Sequence, residues 1–261
     1  MKRILFRSLL TLTLATSLSA VTQAQTDATK PANDSTAKAT TTGAKDATPA
    51  AAITASTTPI DLARAALAAQ GGDKYKTMKN MILRGSVDLY APNSTFSLPG
   101  GFVWVEAGEK VRLEVAAPPQ VSFKQIYDGQ RSYSSLPGVD LPPASKFGLP
   151  LLAKFDQPGY TVTALPDRKK LRGFRIADAE GNATDFFLDP ATGRVMTFLI
   201  AYNGYTFGTD NKKFKEVEGV LIPVSFSQRL EMQSGAYFAE YNVKEVKLNQ
   251  ALGDDVFVIP N

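Results

Sequence analysis

The run Val217-Glu218-Gly219-Val220-Leu221-Ile222-Pro223, followed by strand-like residues and then by Asp254-Asp255-Val256-Phe257-Val258-Ile259-Pro260, decides the fold. Glu218-Gly219 is a turn signal, and the apolar residues after it predict a strand, with two more antiparallel strands following. The end of the chain reads as a segment pinned by Phe257 and stopped by Pro260.

Upstream the same period of two recurs. Val111, Leu113 and Val115 alternate with Lys110, Arg112 and Glu114, which gives a strand with one wet and one buried face. Turn signals at Ala107-Gly108, Asp128-Gly129, Glu180-Gly181-Asn182, Asp189 to Gly193, Glu218-Gly219 and Ser234-Gly235 imply sequential hairpins and an antiparallel meander. In the last long strand Tyr237, Ala239, Tyr241 and Val243 keep one phase while Val246 and Leu248 keep the other. That slip predicts a β-bulge, and bulges bend sheets. Phe186-Phe187-Leu188, Val195 to Ala201 and Val220-Leu221-Ile222 are apolar on both faces. They suit either a cavity wall covered on its far side or a doubly covered strand of an ordinary core.

A helix is expected before the strands. Thr58 caps it, Pro59 suits its first turn, Asp61 favours its positive end and Gly71-Gly72 stops it. Ile60, Ala63, Ala66, Leu67 and Gln70 form one stripe. A helix of about 13 residues is ~20 Å long, enough to cross about four strands. It fits the hollow of a bent sheet and the face of a flat one equally well. Between Leu136 and Pro158, prolines interrupt Phe147, Leu149, Leu151, Leu152 and Phe155, so broken helix is expected in place of strand. As a lid this segment covers an apolar hollow and retracts; as a connection it packs permanently.

Met1-Lys2-Arg3, the apolar Ile4 to Leu18 and the small residues Thr22-Gln23-Ala24 read as a cleaved signal peptide over residues 1–24, hence an exported, periplasmic or otherwise secreted protein. Residues 25–58, rich in Ala, Thr, Ser, Asp and Lys, read as a flexible linker, and residues 59–261 as one folded domain. With no Cys and no His, disulfides, zinc sites of the His/Cys type and His-based catalytic triads are excluded. Loss of the three positive charges of the leader takes the net charge from +4 to +1, which does not suit nonspecific binding to nucleic acid. Neither a nucleophile elbow nor a phosphate loop is present, and Asp254-Asp255 or Asp185 with Asp189 read as solvated acids. A non-enzymatic protein without metal or cofactor is expected. The basic run Arg168 to Arg172 reads as a wet hairpin, or as a contact for anionic lipid heads or an acidic partner.

Val103-Trp104-Val105-Glu106-Ala107-Gly108, the alternating Val111, Leu113 and Val115 up to Pro118, and Ile126-Tyr127-Asp128-Gly129 resemble the strand pattern of the periplasmic outer-membrane lipoprotein carriers and lipoprotein-sorting proteins. The C-terminal run resembles theirs as well. The resemblance covers Pro59 to Asn261 and implies an α+β fold: a strongly curved antiparallel half-barrel with a helix and a lid segment over its concave face. It also implies an apolar cavity that binds lipid or lipoprotein acyl chains. A basic residue that the resemblance associates with holding and releasing the lid falls on Ala107 here. Strand phase nominates Trp104, Leu113, Val115, Phe123, Phe198, Ile200, Phe226, Leu230, Met232 and Tyr241 as the wall, and each also suits plain core. Two functions follow: a soluble carrier or sensor of an acyl group, with peripheral membrane contact, or an envelope module that binds another protein on the same scaffold with a filled core.

Overall fold

The computed structural model describes residues 52–136, 141–232 and 235–260. The expected signal peptide and linker residues 25–51 lie outside them. Ile53, within the expected linker, packs against the core.

Helix α1 (Pro59–Gln70) starts where Thr58 accepts a hydrogen bond from the Asp61 N–H at 3.3 Å, and it ends at Gly71. A short α2 (Asp73–Lys76) follows. The buried side of α1 holds Leu62 as well as Ala63, Ala66, Leu67 and Gln70, a wider apolar face than the expected stripe. The strands are β1 (Met81–Tyr90), β2 (Leu98–Ala107), β3 (Lys110–Ala117), β4 (Val121–Tyr127), β5 (Ser132–Ser134), β6 (Thr161–Arg168), β7 (Leu171–Ala177), β8 (Ala183–Leu188), β9 (Val195–Tyr202), β10 (Tyr205–Val217), β11 (Val220–Met232) and β12 (Gly235–Leu248).

They form one open, twelve-stranded antiparallel sheet in the order β5-β4-β3-β2-β1-β12-β11-β10-β9-β8-β7-β6. Two meanders are thus zipped together by the first strand and the last. The expected bulge lies in that seam: Arg84 pairs with Glu245 and Gly85 with Val243, so the register skips Lys244. Gly85 is required there, because a Cβ would stand 2.0 Å from the Asn242 carbonyl oxygen. After Gly219 there are two strands where three were expected. Pro223 does not end β11, since it pairs with Phe214 at a register irregularity of β10, and a bulge tolerates a residue without N–H.

This topology puts β5 and β6 at opposite edges, so the chain between them must traverse the sheet. Its described part carries two 3-10 turns, Ala144–Lys146 and Leu149–Ala153. The first lies against β3, and Gly148 donates its N–H to Thr184 Oγ1 of β8 at 3.0 Å. In a flat sheet β3 and β8 would be ~34 Å apart at ~4.8 Å per strand. The intervening chain of about four residues spans at most ~14 Å. The sheet must therefore curve around the crossover, as a half-barrel does. On the outer face the C-terminal segment crosses β3, where Arg112 donates to the Val256 carbonyl at 2.7 Å and Lys110 stands over the Phe257 ring.

Candidate functional site: the covered concave face

Antiparallel partners project from the same side of a sheet, so the registers fix which side chains share a face. One cross-strand row runs Phe174, Phe186, Phe198, Thr209, Gln228, Ala239 and Leu89. A second runs Ile176, Thr184, Ile200, Phe207, Leu230 and Tyr237. Asn211, Phe226, Tyr241 and Val87 form a third. Beyond the bulge come Leu83, Trp104, Leu113 and Gln125, and beside them Gly85, Phe102, Val115 and Phe123. Every expected wall residue lies on this one face, with Met232 two places beyond Leu230 on β11. Ring contacts tie neighbours together: Phe174 stacks on Phe186 at 5.2 Å, Phe226 on Tyr241 at 4.8 Å, and Phe102 meets Tyr241 edge-on at 4.9 Å.

The face is covered. Leu113, Val115, Phe226 and Tyr241 are buried in one cluster with Leu62, Ala63, Ala66 and Leu67 of α1 and with Leu151, Leu152 and Phe155 of the crossover. Trp104, Phe123, Phe198 and Leu149 flank it, half-buried. Ile200 is buried, and Phe147 is buried with its ring edge-on to Tyr202. Leu230 and Met232 are half-buried near the strand ends. The partly unfilled hollow expected from the resemblance is not open in this conformation, because crossover side chains occupy it. Two clefts among the described residues, of 270 and 180 Å³, border none of the wall residues. Both fall below the ~300 Å³ at which pockets for small ligands begin.

Polar contacts hold the crossover at both ends. Pro142 accepts from Gln125 Nε2 at 2.9 Å, Lys146 pairs with Glu180 at 3.1 Å and Asp156 with Lys76 at 2.6 Å. Lys154 pairs with Glu109 in the β2–β3 turn, two residues after Ala107. Here the crossover supplies the cation and the turn supplies the anion. Ser145 Oγ is buried and reaches no protein partner.

Glu106 is the titratable group that sequence reading passed over. Its place in the phase of Phe102 and Trp104 was the available signal, since it puts a carboxyl on the apolar side. It lines the 180 Å³ cleft with Tyr75, Glu109 and Lys154. Burial pushes its pKa up to about 7, while the Trp104 indole and Lys154 hold it down and Glu109 raises it further. Trp104 Nε1 lies near this carboxyl but outside hydrogen-bonding geometry. The Tyr75 hydroxyl is pushed up strongly, by burial first and by Glu106 second. Asp185 and Asp189 are structural: Asp185 pairs with Arg175, and Asp189 accepts from Ala191 N and Thr192 Oγ1 within its own turn. Arg168 to Arg172 form the β6–β7 hairpin, with Arg168 over the Phe187 ring and Arg172 on Asp167. Among the described residues no cluster of three acids, His or Cys is arranged to hold a metal.

No protein-family model and no curated protein matches this sequence. Among solved structures, a LolA superfamily protein from Nitrosomonas europaea matches 77% of this chain and 98% of its own, at 12% identity and a TM-score of 0.50. The fold is LolA-like. A putative outer membrane lipoprotein-sorting protein domain from Vibrio parahaemolyticus covers 75% of this chain and 97% of its own, at 13% identity and a TM-score of 0.45. A DUF1329 family protein from Desulfovibrio piger covers 77% and 97%, at 9% identity and a TM-score of 0.47. At 12% identity, the likeness to the Nitrosomonas europaea protein is one of fold alone.

Proposed function

We propose that this LolA-like protein is an exported, non-catalytic carrier that holds an acyl chain of a lipid or lipoprotein against its concave face, in the space that Leu151, Leu152 and Phe155 fill when it is empty. One observation carries the reading: a largely apolar face that runs from β4 through β3, β2, β1, β12, β11, β10 and β9 to β8, broken by Gln125, Gln228, Thr209, Asn211 and Thr184, is closed by a crossover of 3-10 turns and irregular chain. Such elements open at lower cost than a sheet does. An acyl chain of ~14 carbons gains about 11 kcal/mol on leaving water, at ~0.8 kcal/mol per methylene. Three displaced side chains forfeit roughly 5–9 kcal/mol, at ~1.5–3 kcal/mol each. The two are close enough that cargo and crossover exchange, and neither locks the face. The protein needs no cofactor or metal for this.

A second reading, an envelope module that binds a protein partner on its outer surface, is favoured by the packing of Leu151, Leu152 and Phe155 into the core cluster. The test is lipid extraction and mass spectrometry of protein purified without detergent, with uptake of a fluorescent fatty acid followed through Trp104, the sole Trp. The carrier reading expects copurified acyl lipid and a saturable change in Trp104 emission. A protein that yields no lipid, takes up no probe and captures a stoichiometric protein partner would establish the second.

A further inference from the structure

The two edges formed by the strand ends differ sharply in charge. At one edge the connections carry Glu109, Asp128 and Arg131, Lys169 and Lys170, Asp189 and Arg194, and Glu218. At the other, four hairpin ends adjacent in the sheet carry no ionisable acid or base apart from tyrosine hydroxyls. These are residues 89–105 across β1–β2, 115–123 across β3–β4, 195–209 across β9–β10, and Met232 with 235–239 across β11–β12. The neutral stretch stops at β7–β8, where Asp178 and Glu180 appear. Two of these hairpin ends, β1–β2 and β11–β12, touch: a Cβ at Gly235 would stand 2.7 Å from Pro92 Cβ. Phe96 is 83% exposed, and Tyr237 and Phe238 are 43% exposed each.

We propose that this neutral aromatic rim is the surface by which the protein rests on the interface of a lipid bilayer. Aromatic rings on an uncharged edge suit the headgroup region, where the ring leaves water and a phenol keeps its polar end wet. The three exposed rings offer roughly 350 Å² at ~200 Å² per ring. That is well short of the ~800 Å² per partner that a standard protein interface needs. Contact is shallow, because Glu231, paired with Arg229 at 3.3 Å, stands one residue behind Met232. The contact itself does not depend on acyl binding. Its continuity with wall residues Leu230 and Met232, which would lead a chain from bilayer to concave face, does rest on the carrier reading.

The test is flotation of protein recovered from the exported fraction, so that any leader has been removed, with vesicles of phosphatidylcholine alone at 0.1 and 0.5 M salt. The expected result is flotation that changes less than about twofold with salt, since no ion pair is involved. A Phe96→Ser, Phe238→Ser double variant should partition at least tenfold less, on the scale of burying one aromatic ring. Val258→Ser, an apolar residue 60% exposed on the C-terminal segment, should partition like the parent. Unchanged thermal unfolding shows that both variants fold. Absence of flotation, equal flotation of the double variant, or flotation only on anionic vesicles that salt abolishes would overturn the proposal, the last pointing to the basic β6–β7 hairpin. A dimer that the double substitution splits, with flotation unaffected, would assign the rim to a second copy and equally overturn it. Fatty-acid uptake measured in solution on the same samples separates failure of this contact from failure of the carrier reading.

Discussion

Leu152→Ala separates a cover that cargo displaces from a permanent piece of core. Leu152 is fully buried in the central cluster. Truncation removes three carbons, ~2.4 kcal/mol of transfer free energy at ~0.8 kcal/mol each. The cavity left behind adds to this, so the loss expected is ~3–4 kcal/mol, within the measured range for buried Leu→Ala changes. For a domain of this size the melting temperature should fall by roughly 6–16 °C at 2–4 °C per kcal/mol. Stability alone does not discriminate. If the crossover must withdraw before an acyl chain binds, the same substitution weakens the closed state and leaves the open one untouched. The apparent affinity for a fluorescent fatty acid should then tighten, by up to about a hundredfold for ~3 kcal/mol. Chemical unfolding and probe titration on one sample measure both numbers. A loss of stability with unchanged or weaker probe binding would refute the reasoning, and a loss below ~1 kcal/mol would show that Leu152 is not packed as described.

Three further outcomes follow from named contacts. A carboxyl raised to about 7 in the folded state destabilises folding once the unfolded chain ionises, so the cost is absent below the ordinary Glu value of 4.5, grows as pH rises and is complete above about 7. Glu106→Gln should therefore match the parent near pH 4 and gain on it by up to roughly 3 kcal/mol at pH 8, read by urea unfolding at both pH values. Gly85→Ala drives a Cβ into the Asn242 carbonyl in the β1–β12 seam, and should cost ~3 kcal/mol or more or prevent folding, as thermal melts would show. Arg112→Ala frees the Val256 carbonyl and should cost about 1–2 kcal/mol while making the C-terminal segment more sensitive to limited proteolysis.

Local patterns read correctly because each feature rests on residues close in sequence. The cap at Thr58, the stop at Gly71, the inward phase of Trp104, Leu113 and Val115, and the slip between Val243 and Val246 are all decided within a few residues. What stayed hidden depends on partners far apart. Nothing in Met81–Tyr90 announces that it pairs with the last strand, and without that pairing the chain from β5 to β6 does not show itself as a crossover between opposite edges. Leu62 falls outside the expected stripe because a helix inside a concavity meets protein over a wider arc than one on a flat face. Occupation of the hollow by Leu151, Leu152 and Phe155 was equally out of reach, since the apolar residues of the crossover suit a retracted lid and a packed one alike.

Hydrogen exchange with and without a bound fatty acid measures the competition between crossover and cargo most directly. The account predicts that amides from Gly148 to Phe155 lose protection when the acyl chain binds, while β2, β3, β11 and β12 keep or gain it. Bound fatty acid with the crossover still fully protected would contradict the claim that cargo takes the place of Leu151, Leu152 and Phe155.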